Sequence, residues 1–247
     1  MAVRKKSKFK KRFAAASIIL ALQLLFLTPA FAAVINLPDD KSQSVQIIIL
    51  LTILTLAPSI LIMMTGFTRI IIVLSFVRNA LGLQQTPPNQ VMIGLALFLT
   101  FFFMYPVFTD VYNNSYKPYA EGTISQQQAI EKAKEPMRDF MLKQTYKKDL
   151  NLFLNMKKID SVSDTKDIPL STIIPAFIIS EMKRAFEIGF LIYIPFMVID
   201  MIVASTLMSM GMMMLPPTVI SLPFKVLLFI LVDGWDLTVQ TLFKSFS

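Results

Sequence analysis

Glu181, Lys183, Arg184 and Glu187 stand within seven residues of one another in STIIPAFIISEMKRAFEIGF, residues 171–190, a stretch that is otherwise apolar. Opposite charges three and four apart can pair along one helix. The same four charges can also mark the end of an apolar helix at an interface. Asp200 is different, because it sits alone between IPFMVI and MIVAST. A carboxylate at membrane depth is costly unless it faces protein or water. It is therefore either a protonated or hydrogen-bonded acid between packed helices or one step of a proton relay.

The methionines form a second constellation. Residues 208–217 read MSMGMMMLPP, and residues 201–214 hold six methionines, among them Met210, Met212, Met213 and Met214. Methionine often fills gaps in apolar helices. Three in a row, however, point about 100° apart on a helix, so one stripe cannot use them all. Gly211 before them and Pro216-Pro217 after them favour a loop or a broken helix. Irregular backbone at membrane depth is tolerated only inside protein or along a cavity. Thioether side chains placed there can close an opening and still deform around varied cargo.

Composition narrows the chemistry further. The chain holds neither cysteine nor histidine, which excludes disulfides, thiol nucleophiles and imidazole catalysis. An intramembrane enzyme would have to rely on carboxylates, and Asp200, Asp233 and Asp236 fall in no protease motif. No glycine-rich phosphate loop and no internal repeat are present. The net charge of +8 suggests an anionic partner at first. Seven of the positive charges crowd into residues 1–12, leaving 17 basic against 16 acidic residues beyond them. That removes the reason to expect nucleic acid.

Residues 1–32 have the pattern of a cleavable signal peptide: a basic start, an apolar core and Ala30-Phe31-Ala32 before Ala33. Cleavage is expected between Ala32 and Ala33. Apolar spans follow at 46–67, 91–108, 188–215 and 223–243, in a chain that is 55% hydrophobic. Pro58 should kink the first. Between the first two lie residues 68–90, whose only charges are Arg69 and Arg78, which favours a cytoplasmic loop.

Residues 109–170 are the one extended polar region, expected on the outer side. Ser125 and Gln128 can form a capping box at the start of a helix. Pro136 suits the first turn of a second helix, on which Leu142, Tyr146, Leu150 and Phe153 recur at helical spacing. This amphipathic hairpin either packs on itself or faces a neighbouring subunit. Residues 156–168 read as a loop. The expected architecture is all-α and membrane-associated: a helical region at 33–108, the insert at 109–170 and a second helical region at 171–247.

Four blocks carry a resemblance that covers nearly the whole mature chain: RIIIVLSFVRNALGLQQTPPNQVMIGLALFLTFF (69–102), PMRDFMLKQTYKKDLNLF (136–153), PAFIISEMKRAFEIGF (175–190) and GMMMLPPTVISLPFKVLLFILVDGW (211–235). With these blocks the chain resembles the FliP family of flagellar and type III secretion export gates. The signal peptide and the size of the insert resemble the flagellar branch more than the injectisome one.

The resemblance implies kinked helical hairpins from several copies, assembled in a ring-like gate with FliQ and FliR homologues and contacting FlhB and FlhA homologues. Unfolded subunits would pass through it across the bacterial inner membrane, with the insert on the periplasmic side. It implies a methionine gasket at Met212, Met213 and Met214, flanked by Met210. It also implies an inter-subunit pair between Glu181 and Lys225, with Phe140 and Phe153 on a subunit contact. No cofactor or metal is implied. The rival class is a secondary transporter or ion channel, resting on Asp200 and a broken third span.

Overall fold

The computed structural model describes residues 41–158, 168–212 and 214–246. The signal-peptide reading, with Ala32 and Ala33, lies outside the described residues, and so do Met213 and most of the 156–168 loop. The described residues are mostly helical, with no strand among them. An all-α membrane protein is what the sequence led us to expect.

Two compact units divide the chain, Met1–Leu56 and Ala57–Ser247. Helix α1 is Lys41–Met64 and carries Pro58 inside it. Its stretch up to Leu56 belongs to the first unit, where Ile48, Ile49, Leu50 and Leu54 are exposed. All further elements belong to the second unit.

The second unit is built around α2, Phe67–Ala80. Phe67, Ile70, Val73, Leu74, Val77 and Ala80 are buried at spacings of three and four, so every turn of the helix feeds a core. The stretch 68–90, expected as a connecting loop, is for the most part this central helix, and Arg69 is fully buried. Hydropathy treats a short apolar helix with a charge at each end as a connector, because no window is long enough to span.

The remaining helices are α3 (Asn89–Val111), α4 (Gln126–Gln144), α5 (Lys147–Met156), α6 (Leu170–Ser209), α7 (Pro217–Leu231) and α8 (Gly234–Phe246). Helix α3 runs on through a π-helical stretch, Tyr112–Tyr116, and a last α-turn, Lys117–Ala120. Met92, Ala96 and Leu99 of α3 pack on α2 together with Ala185 of α6 and Leu242 of α8. A second cluster joins Val77, Ala80 and Leu81 to Phe196 and Phe229. The third joins Met141 of α4 to Ile168, Ile173 and Phe177. Helices α2 and α6 come so close that a Cβ on Gly189 would lie 2.4 Å from the ring of Phe76.

Helix α6 has 40 residues, about 60 Å of rise. It merges the charged 171–190 stretch with the third apolar span. The fourth span is bent instead, with 64° between α7 and α8. Among the described residues, Asn89–Ala120 and Leu170–Ser209 are each long and apolar enough to cross a membrane, and the bent pair makes a third where it counts as one span.

The insert forms its capping box as expected: Gln128 N–H donates to Ser125 Oγ at 3.3 Å, and Ser125 N–H donates to Gln128 Oε1 at 3.0 Å. Its break is elsewhere than expected. Pro136 lies inside α4, and the chain turns at Thr145–Tyr146, where the Tyr146 N–H donates to Ser180 Oγ of α6 at 3.0 Å. A tertiary acceptor, rather than the proline, decides where the second helix starts.

Candidate functional site

Arg69 sits in the first turn of α2 and points into the gap between α4, α6 and α8. Its five N–H groups are all spent. Nε donates to Glu181 Oε2 at 3.0 Å, Nη2 to Glu181 Oε1 and to Gln144 Oε1 at 2.9 Å, and Nη1 to the Ser245 carbonyl at 2.6 Å and Ser245 Oγ at 3.0 Å. The guanidinium also lies 4.0 Å from the centre of the Phe246 ring. Gln144 Nε2 donates to the Phe246 carbonyl at 3.0 Å. Both Arg69 and Glu181 are 0% exposed. Removing two charges from water is costly, and such a pair persists only where further hydrogen bonds satisfy its remaining groups. Here one hub ties four helices together.

The neighbouring charges of α6 also reach outward rather than along the helix. Lys183 pairs with Asp149 of α5, and Ser180 Oγ donates to the other oxygen of that carboxylate at 2.8 Å. Arg184 lies over the Tyr146 ring at 4.7 Å and donates to Gln144 Oε1 at 3.3 Å. The Tyr146 hydroxyl donates to Glu187 Oε2 at 3.2 Å. The i,i+3 and i,i+4 pairs that the sequence allows are replaced by contacts to the insert. Inter-helix partners win because the insert brings a fixed acid, ring and amide to this face of α6.

Burial by itself would raise the Asp149 carboxyl, but hydrogen bonds from Lys183 and Ser180 outweigh it and hold the group below the usual range. Tyr146 is pushed up, first by burial and then by the nearby Glu187 carboxylate, against the opposing pull of Arg184.

Asp200 is not alone. Lys225 of α7 donates to its Oδ2 at 2.6 Å and Ser221 Oγ to its Oδ1 at 2.6 Å. Folding α7 back onto α6 supplies these partners, which lie more than twenty residues away in sequence. Within the chain, then, Glu181 and Lys225 each have a partner of their own.

The link between α6 and α7 carries the methionines. Gly211, at φ +75°, ends α6. Its N–H reaches the Met208 carbonyl at 3.0 Å, and the Met212 N–H reaches the Leu207 carbonyl at 3.0 Å, a Schellman closure that favours glycine at that position. Pro216 and Pro217 then start α7. Between these two fixed ends Met214 is 98% and Met212 40% exposed, and Met210, just before Gly211, is 71% exposed. From Glu181 to Ser209 is about 42 Å along α6, so the hub and the methionine loop are separate features on one rod.

Phe140 packs edge-on to Phe177 at 5.9 Å, and Phe153 is partly buried. Phe140 therefore contributes to the chain's own third core cluster.

Residues 50–242 match the FliP family. The chain belongs to the FliP family. Similar relatives include the Flagellar biosynthetic protein FliP of Bacillus subtilis (strain 168), 58% identical over 209 residues that cover 85% of this chain and 95% of the relative. The protein of the same name from Pectobacterium carotovorum subsp. carotovorum is 50% identical over 238 residues, 92% of each chain. That of Aquifex aeolicus (strain VF5) is 51% identical over 206 residues, covering 83% of this chain and 86% of the relative. The family match includes Arg69, Gln144, Glu181, Asp200, Lys225 and the whole methionine loop.

Sequence reasoning missed Arg69, Gln144, Tyr146, Asp149 and Ser180 as site residues. A signal existed for two pairs. Arg69 and Lys225 are lone cations in apolar helices, just as Glu181 and Asp200 are acids in apolar surroundings. Lone buried charges of opposite sign must find one another or be neutralised. Which cation takes which acid is not written in the spacing.

Proposed function

We propose that this FliP-family chain is a pore-forming subunit of a bacterial flagellar protein export gate in the inner membrane. Several copies, together with FliQ, FliR, FlhB and FlhA homologues, pass unfolded flagellar subunits outward, and the insert lies on the periplasmic side. The relatives' names support the flagellar setting over an injectisome. The broad exposed apolar faces of α3, α6 and α7 suit contact with lipid and with further copies.

The observation that carries the gate reading is the methionine loop. Soft side chains project from a short link whose ends are held by the Gly211 closure and by Pro216-Pro217. In a ring of copies these links supply a compliant seal that blocks small ions at rest and parts around an unfolded chain. The transporter reading weakens correspondingly, because Asp200 is paired.

Replacing Met212, Met213 and Met214 with alanine tests the seal. The expected outcome is an inner membrane leaky to small ions, with the gate complex still assembled. A variant that assembles, exports and holds ions as well as the parent would sink the seal.

A further inference from the structure

We infer that the methionine loop after α6 is a binding site for a soft monovalent cation, Cu(I) or Ag(I), held by the thioether sulfurs of Met208, Met210, Met212 and Met214. The site lies in the loop of the proposed seal but is complete within one chain, so it stands whether or not that loop lines a gate.

Donor type decides the class of ion. Residues 208–217, MSMGMMMLPP, carry no charge, and the chain has no cysteine or histidine. The nearest charges on either side in sequence, Asp200 and Lys225, are paired with each other. The Ser209 hydroxyl donates to the Thr206 carbonyl at 2.7 Å. Among the described residues no group of three His, Cys, Asp or Glu is placed to hold a metal ion. Hard cations such as Mg²⁺ and Ca²⁺ take oxygen ligands, and Zn²⁺ takes thiolate, imidazole or carboxylate. Neutral, polarizable thioethers instead favour Cu(I). Ag(I), with the same charge and softness, is its air-stable counterpart.

The backbone gathers these donors. The Gly211 N–H reaches the Met208 carbonyl and the Met212 N–H the Leu207 carbonyl, both at 3.0 Å, and Gly211 takes φ +75°. This reversal brings Met212 back against the last turn of α6, which carries Met208 and Met210. The Leu215 N–H then reaches the Met212 carbonyl at 3.5 Å, a further turn that presents Met214. Four thioethers thus leave two consecutive turns within seven residues.

Exposure sets them apart from the methionines that build the core. Met92, Met104 and Met141 are buried, whereas Met208, Met210, Met212 and Met214 are all exposed. With three rotatable bonds and no packing partner to lock it, each sulfur can swing toward one ion while the backbone stays in place. Met197 and Met201 are exposed as well, but they offer only two donors one turn apart. Binding forms sulfur–metal dative bonds alone. No bond breaks, no electron moves and no proton is released, because a thioether has none to lose.

Equilibrium dialysis of the detergent-purified full chain against silver nitrate in chloride-free buffer provides the test. The parent should retain one Ag⁺ per chain, and excess Mg²⁺ or Zn²⁺ should not displace it. Met208→Leu, Met210→Leu and Met212→Leu combined keep apolar side chains of similar volume and should weaken retention at least about tenfold. Met214→Leu alone, at a side chain 98% exposed, cannot disturb packing and should also weaken it. Met197→Leu with Met201→Leu should retain Ag⁺ as the parent does. Cu(I), supplied anaerobically with a reductant and read by competition with bicinchoninate, should follow the same order. The site is refuted if the parent retains no more Ag⁺ than empty detergent, if Zn²⁺ displaces it, or if the loop variants bind as the parent does. Failure of the alanine variants to leak ions would sink the seal and leave this result untouched, so the two failures are distinguishable.

Discussion

Arg69 shows how much one buried charge can organise. Its donors reach Glu181, Gln144 and Ser245, so three distant segments converge on one guanidinium. Removing one partner of such a pair strands the other, typically at about 3–5 kcal/mol, whereas replacing both with apolar groups of similar size is far milder. Arg69→Met should therefore cause a steep loss of folded protein in detergent. Arg69→Met combined with Glu181→Met should recover much of it, as read by thermal unfolding across the double-mutant cycle. Equal losses in the single and the double variant would show that the ion pair is not the source.

Asp149 makes the complementary point about pH. Its carboxyl is held below the ordinary range in the folded chain, so its contribution is present above the unfolded carboxyl value and is lost as pH falls through the lower folded value. Stability of the parent should thus decline on acidification below about pH 4, the unfolded aspartate value. Asp149→Asn should flatten that part of the melting-temperature profile. An unchanged acid limb in the variant would assign the decline to other carboxylates.

Among the elements, α2 and α6 determine most of the geometry. Their contact depends on Gly189, because an added Cβ would lie 2.4 Å from Cγ and 3.0 Å from Cβ of Phe76, atoms too near the backbone to swing aside. Phe76 is itself held edge-on by Phe186 at 5.4 Å. Gly189→Ala should cost about 1–3 kcal/mol by overpacking. A second-site Phe76→Ala, which removes Cγ and the ring, should relieve part of that, measured as partial recovery of the melting temperature. No relief would mean that the helices separate for some other reason.

For the whole molecule, the central question is what covers the apolar surface. Phe98, Phe101 and Phe102 on α3, Phe190 and Leu191 on α6, and Ile230 and Leu231 on α7 are all exposed in the single chain. Faces on three helices, pointing several ways, exceed what one lipid-facing side requires. On the proposed function, co-expression with FliQ and FliR homologues should yield one large detergent-stable particle holding several copies of this chain, with its mass as the readout. A stable monomer that ignores both partners would overturn the assembly reading.

The sequence by itself determined the helical class, the polar insert with its Ser125–Gln128 box, the apolar stretches and the Gly211–Pro216 boundaries of the methionine loop. Each of these depends on residues close together in the chain, where periodicity, caps and breakers act locally. Only the tertiary structure decided that α2 is a core helix rather than a loop, and that the insert breaks at Tyr146 rather than Pro136. It alone assigned Arg69 to Glu181 and Lys225 to Asp200. Those outcomes turn on contacts between residues up to 176 positions apart, as in Arg69 with Ser245. A buried charge selects its partner by which helices pack beside it, and that information exists only once the chain has folded.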